Sequence, residues 1–206
     1  MMNSIHNNLF ILLPKEKRNL VDFYFDLNVV GEEYARGLGD LADQLADVAL
    51  SKDDEGYNTV ISPILRAGKS VSDRISQRLP KAEIAEICMR RNIHTLKPMV
   101  AWNQYDDISN KEIKKLIITD PALATGGSLI QALDLAISSG FQEENILVFA
   151  MFGCDSGLSK VFGKYPNIKI YLAHKADGIR EDGYLLPYNG DTGDRLYGVR
   201  ENEYVF

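Results

Sequence analysis

Residues 116–140, LIITDPALATGGSLIQALDLAISSG, set an acid and a bare-backbone turn side by side at the tip of an apolar run. Asp120 follows four strand-forming residues, and Pro121 predicts that strand pairing stops there. Thr125, Gly126, Gly127 and Ser128 then supply two hydroxyls and unobstructed N–H groups just where a helical pattern begins. A helix N-terminus carries orphan donors and the positive end of the peptide dipole, a setting that holds phosphate. Glycine lets the backbone come close to such an anion. Asp120 and the turn together fit a phosphorylated sugar, its hydroxyls on the acid and its phosphate on the turn.

Strands and helices must alternate to deliver this segment. Tyr34, Leu38, Leu41, Leu45 and Val48 recur at spacings of three and four, which predicts an amphipathic helix over 32–50. The polar run 51–58 ends it, TVISPIL (59–65) reads as a buried strand, and RAGKSVSDRISQRLP as a turn and a helix stopped at Pro80. Further strands are expected at 83–89, 116–119, 145–153 and 168–174, and helices from the turn to about 139, capped by Gly140, and around 156–163. Residues 90–112 lack a clean period, which predicts a functional or mobile loop. The tail 177–198, rich in Gly and Asp, reads as contact-making loop that caps the sheet edge. The alternation implies an α/β domain with a mainly parallel sheet, its ligand site beyond the strand C-termini.

The composition, 45% hydrophobic and 25% charged over 206 residues, is that of a globular chain with a real core. A net charge of −6 excludes a broad nucleic-acid surface. No window predicts a membrane span or a signal peptide, so the expected location is cytoplasmic. Cys88 and Cys154, far apart in apolar contexts, are expected to be buried reduced thiols. His6, His94 and His174 are scattered, and no metal-ligating cluster is visible.

Four segments carry a resemblance: ISPILRAGKSVSD (61–73), MRRNIHTLKP (89–98), DPALATGGS (120–128) and GYLLPYNGDTGDRLYG (183–198). In that order they resemble the PILRAG loop, the flexible arginine loop, the loop for phosphoribosyl diphosphate (PRPP) and the C-terminal uracil-binding hood of uracil phosphoribosyltransferases. Proline in place of a second acid, as at Pro121, is characteristic of those enzymes. The resemblance covers about residue 60 to the C-terminus, while residues 1–58 match weakly. It implies an α/β phosphoribosyltransferase fold, a mainly parallel sheet flanked by helices, as one domain over 1–206 with a core of about 32–174 and a hood of about 175–206. It implies transfer of the phosphoribosyl group of PRPP to uracil, giving UMP and pyrophosphate.

The same resemblance assigns roles residue by residue. Arg66 and Arg91 face the pyrophosphate and, with Asp120, form the catalytic set; forked guanidinium groups suit a polyanion. Asp120 takes the ribose hydroxyls, and Pro121, Ala122, Leu123, Ala124, Thr125, Gly126, Gly127 and Ser128 complete the PRPP loop, the last five cradling the phosphate. Leu185, Gly190, Asp191 and Thr192 read uracil, mainly through backbone groups, and Asp191 also contacts PRPP. Mg²⁺ is expected on the pyrophosphate, with no protein metal cluster. The expected assembly is a homodimer or higher homo-oligomer, with neither nucleic acid nor membrane as partner.

The chain departs from that family in the base-reading half. The hood's PGLGD is PYNGD here, with Tyr188 for glycine and Asn189 for leucine; Ala176 and Arg180 alter the run upstream, CDSG (154–157) replaces an Ala-Pro-Glu-Gly run, and Ile93 and His94 replace paired glutamates. SKDDEGYN (51–58) stands where a longer stretch with a dimer-clasping arm is usual. Two alternatives therefore stay open: a phosphoribosyltransferase for another nucleobase, or a non-enzymatic ligand-sensing regulator on the same scaffold.

Overall fold

The computed structural model describes residues 7–13, 22–91, 98–108 and 114–198, with the Arg91 side chain, like the remaining residues, outside that description. The main sheet is built of β1 (Leu9–Leu13), β2 (Thr59–Leu65), β4 (Ile87–Arg91), β5 (Pro98–Asn103), β6 (Lys115–Thr119), β8 (Ile146–Gly153) and β9 (Lys169–Lys175), in the order β1-β9-β8-β6-β2-β4-β5. The two-residue strands β3 (Glu83–Ile84) and β7 (Ala122–Leu123) pair alongside β2 and β8. Pairing is parallel except between β4 and β5.

Both faces of the central strands are covered, which explains their unbroken apolar sequences. All eight residues of β8 are buried. Alternate side chains serve opposite layers: Ile61, Ile117 and Phe149 pack with α2 (Gly31–Ala49), which follows the single turn α1 (Asp22–Phe25), and with α3 (Gly68–Arg78). Val60, Leu116, Ile118 and Val148 pack with α4 (Gly127–Ser138) and α5 (Asp155–Lys164). Glu32 and Glu33 in the first turn of α2 favour its positive end. Tyr34, Leu38, Leu41 and Leu45 are buried as their spacing predicts, each worth about 1.5–3 kcal/mol. Val48, assigned to the same stripe, is instead 57% exposed, while Ala46 and Leu50 on either side of it are buried. Gly140, at φ +98°, closes α4: its N–H donates to Ile137 and that of Phe141 to Ala136.

Three segments differ from expectation. The apolar run of β1 joins the sheet edge, in parallel register with β9. The region expected to be loop after residue 90 contains β5, antiparallel to β4; Met99, Ala101 and Trp102 are exposed on this edge, so no clean period marks it. The tail forms a small ribbon, β10 (Gly178–Ile179) with β11 (Leu185–Leu186), and then α6 (Thr192–Tyr197). Cys88 and Cys154 are free thiols, Cys154 buried and Cys88 only half-buried. Among the described residues no helix is long and apolar enough to cross a membrane.

Candidate active site

The strand end that carries Asp120 is fixed through its backbone. The Asp120 N–H donates to the Phe149 carbonyl at 3.1 Å, and the Pro121 carbonyl accepts from Met151 (3.2 Å) and Phe152 (2.9 Å). Strand pairing then resumes, with Ala122 opposite Phe152 and Leu123 opposite Gly153. Pro121 thus interrupts the ladder instead of ending it: proline lacks the donor but keeps its acceptor. The loop rests on α5, where a Cβ at Gly157 would stand 2.3 Å from the Ala124 carbonyl, and the Cys154 thiol donates to that same oxygen at 3.2 Å.

The two glycines of the turn do different work. Gly126, the N-cap of α4, has φ +75°, and a Cβ there would meet the Gly157 carbonyl at 2.9 Å and Val161 at 3.0 Å. Its lack of a side chain is required by that packing against α5. A Cβ at Gly127 would find only ordinary contacts, Pro98 at 3.5 Å and the Thr125 hydroxyl at 3.6 Å.

Arg66 is brought to this edge by a close crossing. A Cβ on Gly68 would lie 2.3 Å from the Thr119 carbonyl, and the Thr119 hydroxyl donates to the Gly68 carbonyl at 2.9 Å. The Leu65–Arg66 peptide is cis. The Arg66 guanidinium pairs with Asp194 of α6 and donates to the Gly198 carbonyl at 3.1 Å, tying the loop to the hood.

The hood itself hangs on Arg195. Its guanidinium is buried and donates to the carbonyls of Tyr24 (2.6 Å), Asp26 (2.6 Å), Val29 (2.8 Å) and Asn189 (2.9 Å). It also stacks 3.7 Å from the Tyr34 ring centre. Burial pulls the Arg195 pKa below its ordinary value and pushes that of the Tyr34 phenol up; the two neighbours oppose each other's shifts. Asp191 caps α6 by accepting from the Asp194 N–H at 2.9 Å. On the outer side Arg180 lies 4.3 Å over the Tyr188 ring, which meets Tyr184 edge-on at 5.5 Å.

Between the sheet edge and the hood lies a cavity of about 480 Å³. Arg66, Asp120, Ala122, Ala124 and Ser128 line it from the sheet side, and Leu185, Gly190, Asp191 and Thr192 from the hood. Pro121, Leu123, Thr125, Gly126 and Gly127 do not line it, and Leu123 belongs to the core. Arg91 ends β4 in its backbone, while its side chain falls outside the described residues; the arginine on the cavity wall from that strand is Arg90. Asp182, Tyr184 and Asn189 also line it. Sequence reading assigned them no role, although Tyr184 and Asn189 sit inside the hood motif. A second cavity, about 610 Å³ between Asp53–Thr59 and Lys114, Lys115 and Lys169, lies at the N-terminal ends of the strands. Sites in open parallel sheets form at the opposite end, so size alone does not mark the site.

The arrangement suits a sugar diphosphate bound to a hard cation. Guanidinium groups and a helix N-terminus meet anionic oxygens, and the carboxylates of Asp120, Asp182 and Asp191 are ligands of the type Mg²⁺ takes, directly or through water. Among the described residues no group of three or more His, Cys, Asp or Glu forms a metal cage.

Comparison with known proteins agrees with this geometry. The family model for uracil phosphoribosyltransferase matches residues 35–199, reaching further upstream than the motifs themselves suggest. The uracil phosphoribosyltransferases of Limosilactobacillus fermentum and Limosilactobacillus reuteri are each 37% identical over 150 residues, covering 72% of this chain and 70% of theirs. Among solved structures, the AQ2163 protein of Aquifex aeolicus superposes with a TM-score of 0.76 at 23% identity, covering 94% of this chain and all of that one. The adenine phosphoribosyltransferase of Leishmania tarentolae shares the fold at a TM-score of 0.59 and 14% identity, over 89% of this chain and 98% of that one. The family model spans most of the chain and the curated relatives exceed a third identity over most of their length, so the chain belongs to the uracil phosphoribosyltransferase family.

Proposed function

We propose that the protein transfers the phosphoribosyl group of PRPP to uracil, releasing pyrophosphate and forming UMP. The observation that carries this reading is the single cavity into which Arg66, Asp120, Ala124 and Ser128 enter from one side and Leu185, Gly190, Asp191 and Thr192 from the other. A ring nitrogen of uracil forms the new bond to the anomeric carbon while the bond to the pyrophosphate oxygen breaks, and the nitrogen's proton is released. Charge accumulates on the leaving group as the sugar becomes oxocarbenium-like, so positioning and electrostatics supply the catalysis.

In this reading Asp120 holds the ribose hydroxyls, and the turn from Ala124 to Ser128 holds the 5-phosphate at the start of α4. Arg66 exchanges its partner Asp194 for the pyrophosphate, assisted by Arg91 and by Arg90 on the cavity wall. Mg²⁺ bound to the pyrophosphate neutralises part of its charge. Leu185, Gly190, Asp191 and Thr192 receive the base. The chain acts as one catalytic domain with residues 175–206 as its hood, in the cytoplasm. It is a homodimer or larger, consistent with Met99 and Trp102 exposed on the edge strand β5.

Steady-state release of pyrophosphate from PRPP and Mg²⁺ across a nucleobase panel tests the reading. Uracil is expected to be turned over far faster than other bases. A preference for another base would transfer the assignment to it, and no turnover with any base would leave only a ligand-sensing role. Light scattering on the purified protein checks the oligomer, and a monomeric mass under active conditions would reject that part.

A further inference from the structure

Asn189 stands in the hood turn and is only 1% exposed, yet it lines the cavity. Its backbone is held firmly. The carbonyl accepts from Arg195 Nη1 at 2.9 Å, and a Cβ on the next residue, Gly190 at φ +69°, would meet Leu27 at 3.2 Å and Arg195 at 3.3 Å. The side-chain amide nitrogen, by contrast, has no hydrogen-bond partner among the described residues. A buried amide without a partner destabilises the ligand-free protein, and a leucine of similar size would pack there without that penalty. The penalty vanishes when a ligand brings an acceptor. A carboxamide offers a donor beside an acceptor, which is the complement of a ring edge presenting C=O next to N–H.

We propose that Asn189 is a specificity-determining residue whose side-chain amide pairs with the lactam edge of the acceptor base, adding a side-chain contact to a pocket otherwise read by backbone. This rests on the phosphoribosyl-transfer reading above. It makes base selection in this chain depend on a polar group fixed by Arg195, where loss of the amide weakens the base and leaves PRPP untouched.

The test is steady-state kinetics of the full chain and of Asn189→Leu with uracil, 2-thiouracil and 4-thiouracil. Each thio base replaces one carbonyl by a weaker acceptor. Asn189→Leu is expected to raise the KM for uracil about tenfold, the loss of one hydrogen bond. It is expected to leave the KM for PRPP within about twofold, and to erase most of the wild-type penalty for one of the two thio bases. Thermal unfolding of the ligand-free variant is expected at a higher temperature than wild type, which a purely structural asparagine would not produce. An unchanged uracil KM, or thio penalties equal in both proteins, overturns the proposal. If Asn189→Leu does not fold, Asn189→Asp, which keeps the shape but removes the donor, must raise the uracil KM by a similar factor or the proposal falls. A wild-type enzyme inactive with every base would instead overturn the transfer reading, and this inference with it.

Discussion

The two walls of the cavity are built in different ways. The sheet-side wall is an extension of the β6–β8 ladder: Asp120, Pro121 and the β7 residues are all tied to β8 by backbone hydrogen bonds, and the turn sits directly on α5. The hood wall is a short ribbon, β10–β11, and the helix α6, joined to the body by the Arg195 hydrogen bonds, by the Arg66–Asp194 pair and by Leu185 and Leu196 in the core. On that second wall the Asn189 amide nitrogen is buried with no hydrogen-bond partner among the described residues. The contrast teaches a division of labour. In the proposed reading the sugar-phosphate side takes its backbone donors from a wall fixed by the sheet, while the base side uses a separately anchored segment. Resemblance to the family follows the same division, close in the PRPP loop and altered at Tyr188 and Asn189.

The strongest way to break this comparison is to cut the anchor. Arg195→Met removes the guanidinium hydrogen bonds to the carbonyls of Tyr24, Asp26, Val29 and Asn189 and is expected to cost about 3 kcal/mol or more. Denaturant unfolding reads that loss, while calorimetry should find PRPP binding within a few-fold of wild type at a temperature where the variant is folded. Equal loss of PRPP and base binding would mean the walls are not separable.

Asp120→Asn probes the other wall. Removing a charge from hydrogen bonds to the ribose is expected to cost about 1.5–3 kcal/mol, or roughly 10–150-fold in kcat/KM, with the melting temperature unchanged. If inactivity comes only with unfolding, Asp120 is a structural residue.

The paired glycines sharpen the comparison within the turn. Gly127→Ala meets no close protein atom and improves helix propensity, so the fold should gain about 0.5–1 kcal/mol while PRPP affinity falls roughly tenfold. Gly126→Ala does the reverse in stability, because it is strained at φ +75° and collides with Gly157. Undiminished PRPP binding in Gly127→Ala would show that the phosphate lies elsewhere.

The smallest effect is expected at the far end of the sheet. Lys115 donates to Asp54 at 2.5 Å, and that bond, helped by the Gly56 N–H and opposed by burial, holds the Asp54 carboxyl below its usual range. A lowered folded pKa gives stability that is present above the ordinary carboxylate range and is lost as the pH falls through the folded value. Asp54→Asn should therefore lower stability by about 0.5–1 kcal/mol at pH 7, the difference shrinking toward zero in acid, with kcat/KM unaffected throughout. A change in kcat/KM would tie the two ends of the sheet together.

Local chemistry explains which features were legible from residue types. TVISPIL and NILVFAMFG announce buried strands because both faces of the sheet are covered, and the turn from Asp120 into α4 is legible because strand tip, acid and helix start are contiguous in sequence. β5 was hidden because an edge strand buries too little to impose a period, and β1 because five apolar residues fit several local structures equally well. Arg195 stood in the hood motif without an assigned role; nothing nearby in sequence reveals partners 166 to 171 residues away.

By itself the sequence determined the alternation of strands and helices, the glycine turn between β6 and α4 and the motifs that place the chain in its family, since each depends on neighbours within a few residues. Only the tertiary structure decided that Gly126 packs against α5, that Arg66 pairs with Asp194, and that Asn189 is held at the cavity wall with its amide nitrogen unmet among the described residues. Those outcomes depend on distances between segments far apart in the chain, and such distances are fixed by packing rather than by local preference.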